Sequence, residues 1–300
     1  MHDDLTGIAI KFNQDALNLL NFVLAFIMFG VALSLRAKDF RNLITYPKSA
    51  LFGLLSQYLA LPLITILLVY LLKPHPVLGL GMILVAACPG GNVSNFFTFL
   101  AKGNVALSVA LSMVSTIAAF LLTPFQLQFW GSFNSDTAAL LQEVNLSPLK
   151  TMKVVAIILV VPVLLGMWFS AKFPKLTLKI QKPVKVLSFL LLIGIIVGGL
   201  MANWSLFLEH YSKVVFLVLA HNSAALAVAF AIGLLSGIGR AATKTITIET
   251  AIQNSGLGLV LIFNFFDGNG GMAIITAWWG IWHIISGFVV SQLFRKFYPS

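Results

Sequence analysis

The feature that most constrains this chain is a recurrence: uncharged apolar runs, each near the length of a bilayer-spanning helix, follow one another along the sequence. A hydrocarbon core of about 30 Å calls for roughly 18 or more such residues per helix. Nine stretches qualify, approximately 16–35, 49–72, 77–100, 104–125, 154–171, 186–203, 214–235, 245–266 and 271–294. Only 9% of the residues are charged, whereas a soluble domain carries roughly 25%. The expected fold is therefore an all-α polytopic membrane protein with nine transmembrane helices and the lipid bilayer as its solvent. The first run is too long, and too poor in a basic leader or an A-x-A site, to read as a removable signal peptide. Cys88 is the single cysteine, so an intrachain disulfide is excluded.

The net charge of +10 would suggest nucleic acid in a soluble protein, but here its placement encodes topology. Fourteen of the 19 cations fall in alternate loops and the C-terminal tail: Arg36, Lys38, Arg41, Lys48, Lys102, Lys172, Lys175, Lys179, Lys182, Lys185, Arg240, Lys244, Arg295 and Lys296. The other side keeps Lys11, Lys73, Lys150, Lys153 and Lys213 and gathers Asp3, Asp4, Asp15, Asp136, Glu143, Glu209 and Asp267. The positive-inside rule puts the N-terminus outside and the C-terminus in the cytoplasm of a cell (inner) membrane protein, a parity that nine spans satisfy. No nucleic-acid site, phosphate loop or zinc cluster stands out.

The longest stretch read as irregular, Gln126 to Ser147, is an external linker between four spans and five. It divides the chain into a first repeat, 1–125, and a second repeat of inverted topology, 148–300. Aligned in this way, the spans at 77–100 and 245–266 correspond, and both are polar at their middles. One holds Cys88-Pro89-Gly90-Gly91-Asn92-Val93-Ser94-Asn95, the other Glu249-Thr250-Ala251-Ile252-Gln253-Asn254-Ser255-Gly256. Matched mid-span polar and helix-breaking residues point to two discontinuous helices in an inverted-repeat transporter. Proline removes a backbone donor and glycine resists helix, so the first of these spans is expected to unwind. The plainer alternative is a proline kink without a ligand.

A charge at the bilayer centre costs about 2.5 to 3.5 kcal/mol or more, so such a residue is paired or functional. Glu249 has no cation within any span; Lys244, five residues earlier, is expected at the cytoplasmic edge. A bound cation or a proton must then neutralise it. Ser108 and Ser112 share a helix face at i, i+4, with Ser115 and Thr116 close by, while Ser94, Asn95, Gln57 and Gln253 lie in other spans. Their neutral oxygens suit a hard alkali cation such as sodium, and a proton site would need fewer of them. Small-residue helix packing explains either serine taken alone.

These segments, together with Ala101 to Ser108, Met28 to Leu33, Trp282-His283 and Ser286-Gly287, resemble the signatures of the bile acid:sodium symporter family from about residue 20 onward. The resemblance implies a secondary transporter that imports a small organic anion, bile-acid-like or a carboxylate such as pantoate, with two sodium ions by alternating access. It implies a core subdomain, from 49–125 and 214–294, and a panel subdomain, from 16–35 and 148–203. One sodium site would comprise Ser94, Asn95, Ser108, Ser112 and Glu249. The other would comprise Gln57, Glu249, Gln253 and the carbonyls of Thr250 and Ile252.

For the anion, the half-helix after Gly91 would present its positive end, with Asn92, Asn254 and His283 as donors and His221 as a further candidate. No Arg or Lys is expected inside the spans to meet it. Ile284 stands where the family pattern often has Asn, and Asn92 where a relative has Thr, so the passenger is less defined than the ion. Two rival readings are an arsenite-type efflux carrier using Cys88 and a proton-coupled anion carrier using Glu249. A channel lacks the filter-like repetition it would need, and an enzyme lacks a recognisable catalytic set.

Overall fold

The computed structural model describes residues 14–144, 147–201 and 204–299, so Asp3, Asp4 and Lys11 of the charge map lie outside the described residues. These segments are helical, with no strand and a single isolated bridge between two backbone segments. The chain runs α1 (Gln14–Ala32), α2 (Pro47–Leu72), α3 (Pro76–Ala87), α4 (Ser94–Leu100), α5 (Val105–Gly131) and α6 (Ser135–Val144). It continues with α7 (Leu149–Lys172), α8 (Pro174–Met201), α9 (Trp204–Leu235), α10 (Arg240–Ala251), α11 (Ser255–Phe265) and α12 (Gly270–Phe297). Among the described residues six helices, α2, α5, α7, α8, α9 and α12, are long and apolar enough to cross a membrane, and α3, α11 and most of α1 are shorter apolar helices. The protein is a multi-pass membrane protein.

Helix α2 shows how lipid inverts the usual amphipathic pattern. Leu51, Leu55, Leu59, Leu63, Leu67 and Leu71 recur every fourth residue and are all exposed, while Ser56, Gln57 and Thr65 on the opposite face are buried. In water this arrangement would be a liability; against hydrocarbon the apolar stripe is solvated and the polar groups must find partners within the bundle. A π-turn at Ser56–Ala60 precedes Pro62. Proline cannot donate to the carbonyl four residues back and crowds it. The Tyr58 carbonyl instead accepts from Gln126 Nε2 at 2.7 Å.

Within the stretch 126–147, residues 126–144 are largely helical rather than irregular. Helix α5 continues through Gly131, and Asn134 Oδ1 accepts from the backbone N–H groups of Asp136 and Thr137 to start α6. Polar composition marks this stretch as wet without making it unstructured, because an Asn cap supplies the acceptor that a helix start lacks. Helix α8 likewise begins at Pro174, twelve residues before its apolar run, so Lys175, Lys179, Lys182 and Lys185 ride on a helix rather than in a loop. Counting uncharged residues stops at each lysine, whereas a lysine stem can lie along apolar surface with its amine at the edge.

The two polar mid-span segments are both unwound. Helix α3 ends at Ala87, Cys88 is extended and α4 begins at Ser94; α10 ends at Ala251, Ile252 is extended and α11 begins at Ser255. The breaks lie against each other as a short antiparallel bridge between Gly90 and Gln253. Gly91 N–H donates to the Ile252 carbonyl at 2.7 Å, and Asn254 N–H donates to the Pro89 carbonyl at 2.9 Å. Each break thus satisfies backbone groups that its own helix gave up. A side chain at Gly91 would bring Cβ to 2.9 Å from the Gln253 carbonyl oxygen, so only glycine permits this approach.

Candidate functional site

Glu249 sits near the end of α10, beside the bridge, and is buried. Three hydroxyls converge on its carboxylate. Ser94 Oγ donates to Oε2 at 2.6 Å, Ser108 Oγ to Oε2 at 2.9 Å and Ser112 Oγ to Oε1 at 2.5 Å. Ser94 comes from the first turn of α4, whereas Ser108 and Ser112 come from one face of α5, so three helices meet at one carboxylate. Gly90 supplies the fourth wall, where a Cβ would come within 2.8 Å of Oε1. Charge-assisted hydrogen bonds of this kind are short and strong, yet three neutral donors leave the formal charge in place.

A fourth hydroxyl borders this cluster. Thr98 Oγ1, one turn beyond Ser94 on α4, donates to Ser108 Oγ at 3.3 Å. Asn95 is not among the donors to Glu249, and its buried Oδ1 has no hydrogen-bond partner. Asn95 lines the cavity described below, so the structure shows no contact between it and the carboxylate. Thr98 was missed by sequence reasoning although it lies at i, i+4 from Ser94, a spacing that could have found it. Ser115 turns away, donating to the Ser112 carbonyl.

A second polar group lies on the other side of the bridge and is made of amides. Gln57 Nε2 donates to Gln253 Oε1 at 2.8 Å and to the Cys88 carbonyl at 3.1 Å; Gln253 Nε2 donates to the Thr250 carbonyl at 2.7 Å and to Gln57 Oε1 at 3.2 Å. The expected set Gln57, Gln253 and Thr250 is therefore brought together. The Ile252 carbonyl instead accepts the bridge hydrogen bond from Gly91, and the contacts of the Glu249 carboxylate are with the serines. Asn222 of α9, which sequence reasoning passed over, donates from Nδ2 to the Ala251 carbonyl at 2.8 Å. An amide alone in an apolar span was its signal. Gln57 and Asn222 thus play one part at the two breaks, each covering a carbonyl exposed where a helix stops.

Beside these clusters is a cavity of about 920 Å³, walled by α1, α8 and α12 and floored by the two breaks. Gly91, Asn92, Asn254 and His283, the residues expected near the anion, all line it. Asn254 also caps α11, its Oδ1 accepting from Leu257 N–H at 3.0 Å. His221 is elsewhere: its Nε2 lies 2.6 Å from Thr65 Oγ1 and its ring packs on Trp279, a structural position between helices. Two cations depart from expectation. Lys185 lines the cavity, and Lys244 is buried, with Nζ donating to the Ala101 carbonyl just past the end of α4. A cation there complements the negative end of a helix.

The model of the "Sodium Bile acid symporter family" matches residues 21–210. The chain is 30% identical over 273 residues to the uncharacterized sodium-dependent transporter YocS of Bacillus subtilis, covering 91% of this chain and 82% of that protein. It is 31% identical over 276 residues to the probable sodium/metabolite cotransporter BASS1, chloroplastic, of Arabidopsis thaliana, covering 91% of this chain and 65% of that longer protein. Against the sodium-dependent organic anion transporter of Bos taurus it is 25% identical over 287 residues, covering 92% and 72%. These are transporters and not enzymes, and with the helical bundle, the paired breaks and the buried carboxylate they assign this chain to the sodium bile acid symporter family.

Proposed function

We propose that the protein is a symporter that couples the inward movement of two sodium ions to import of an organic anion by alternating access. The observation that carries this reading is Glu249, a buried carboxylate held by Ser94, Ser108 and Ser112 where two broken helices cross. The described residues offer it no cationic side chain, and a sodium ion would supply the missing charge. One ion would take Glu249, Asn95 and the serine hydroxyls, whose protons would turn outward as their lone pairs face the ion. The second would take Gln57, Gln253 and the Thr250 carbonyl, with Ile252 and Glu249 joining only if the bridge shifts. The anion would sit in the adjoining cavity among Gly91, Asn92, Asn254 and His283.

The wider architecture in this proposal is a nine-helix inverted repeat, 1–125 and 148–300 around the segment 126–147. The panel is 16–35 with 148–203, and the core is 49–125 with 214–294. Two packing groups support the division: α1 rests chiefly on α7 and α8, while α10 is surrounded by α9, α5, α4 and α2. The cavity between the groups is where rocking of one against the other would expose a site to alternate sides. In this proposal the protein sits in the cell membrane with its N-terminus outside and its C-terminus in the cytoplasm, as the positive-inside rule favours.

Two measurements test this. Purified protein is expected to melt at a higher temperature in sodium than in an equal concentration of a bulky organic cation, and Glu249→Gln is expected to lose that response. Proteoliposomes are expected to accumulate anion only under an inward sodium gradient; uptake driven by a pH gradient with sodium absent would favour the proton-coupled alternative. Cys88 gives the metalloid alternative no support. Its side chain is fully buried, packed toward Gly258, and it is not among the residues lining the cavity.

A further inference from the structure

Among the described residues lining the cavity, Lys185 is the one with a full formal charge. It lies on α8, where no carboxylate of the described residues pairs with it. Leu35 just beyond α1, Phe189 one turn along α8, and Phe288 and Val289 of α12 line the same space. Lys185 is exposed, so its ammonium is open to an incoming anion with no ion pair among the described residues to break first. Ser188, on the same helix face, adds a buried hydroxyl with no hydrogen-bond partner.

The cavity has two polar ends. Leu192 of α8 lies at the level of Gly256, where an added Cβ would approach it to 3.1 Å, so this level marks the break between α10 and α11. Lys185 lies about two turns earlier on α8, roughly 10 Å of helical rise away. The lining also includes the apolar side chains of Met28, Val31, Phe96 and Ile284. A volume of about 920 Å³ is near the upper end of the roughly 300 to 1,000 Å³ of small-molecule sites. A short hydrophilic acid would leave most of this wall in contact with water.

Resting on the transport reading above, we propose that Lys185 recognises the passenger's negative group. That group would then lie roughly 10 Å from the Asn254–Ser255 break. Lysine suits the task, being a compact charge on a flexible stem that can follow an anion as the cavity changes shape.

The test uses the full chain in lipid nanodiscs with sodium, two carboxylate probes, 4-phenylbenzoate and 6-phenylhexanoate, their neutral amides, and lactate as a short hydrophilic acid. The carboxylates are expected to bind wild type more tightly than their amides or lactate. Lys185→Gln is expected to weaken the carboxylates about tenfold or more and leave the amides unchanged, while Lys185→Arg retains most of the affinity. Equal carboxylate affinity in Lys185→Gln and wild type would overturn the role of Lys185. Amides binding wild type as tightly as the carboxylates, or neither aryl acid binding wild type, would overturn it as well. A sodium-induced rise in melting temperature that persists in Lys185→Gln shows that the variant is folded; its absence from wild type would instead overturn the transport reading itself.

Discussion

The two helix breaks that meet beneath the cavity reach similar backbone geometry by different routes. The first carries its own instructions: Pro89 has no N–H to give and forces the residue before it toward extended backbone, and Gly90 and Gly91 follow. The second, Ile252-Gln253-Asn254, contains neither proline nor glycine. It is held open from outside, by the bridge to Gly91 and Pro89, by Asn222 on the Ala251 carbonyl and by the Asn254 cap. One break is written locally and the other is imposed by its partner, so the first acts as the template. The polar cluster at Glu249 is distributed in the same asymmetric way: the carboxylate belongs to α10, but its three hydroxyl donors come from α4 and α5.

This asymmetry predicts that the breaks respond unequally to substitution. The largest effect is expected from Gly91→Ala, whose Cβ would press on the Gln253 backbone. It should cost about 1 to 3 kcal/mol as overpacking does, and abolish sodium-dependent uptake by separating the breaks. Retained uptake would show that the bridge is dispensable. Next, Asn222→Ala leaves the Ala251 carbonyl buried and unpaired, with an expected loss of about 1 to 3 kcal/mol. Thermal unfolding in detergent reads it, and a loss under half of that lower figure would mean that α10 ends without outside help.

Asn254→Ala removes the cap on α11 at an expected cost of about 1 kcal/mol. The same variant should also weaken anion binding, so a stability change with unaltered anion affinity would confine Asn254 to capping. The smallest effect is expected from Pro89→Ala, under about 1 kcal/mol, because Gly90, Gly91 and the bridge still keep the segment extended and the change acts largely on the unfolded chain. A loss larger than that of Gly91→Ala would reverse the comparison and make proline, not the close approach, the source of the template.

Much of the site was legible because chemistry that lipid does not tolerate stands out in an apolar sequence. Glu249, the serines of α5 and the Pro-Gly-Gly run are conspicuous against their surroundings, and helical spacing alone puts Ser108 and Ser112 on one face. Thr98 and Asn222 were passed over because one threonine or one amide in a span is common and its meaning depends on what lies opposite. Lys185 was misplaced for a different reason. A boundary drawn at the last charge cannot see that α8 starts at Pro174 and carries that lysine along the cavity wall.

The sequence by itself determined the solvent, the helical class, the local break at Pro89 to Gly91 and the presence of one carboxylate needing compensation, since each follows from hydration cost or backbone sterics over a few neighbouring residues. The tertiary structure alone decided which groups compensate it. Ser94 lies 155 positions from Glu249, and the second break stays open only because the first lies against it. Such pairings depend on how helices pack across the bundle, and no local preference of the chain specifies them.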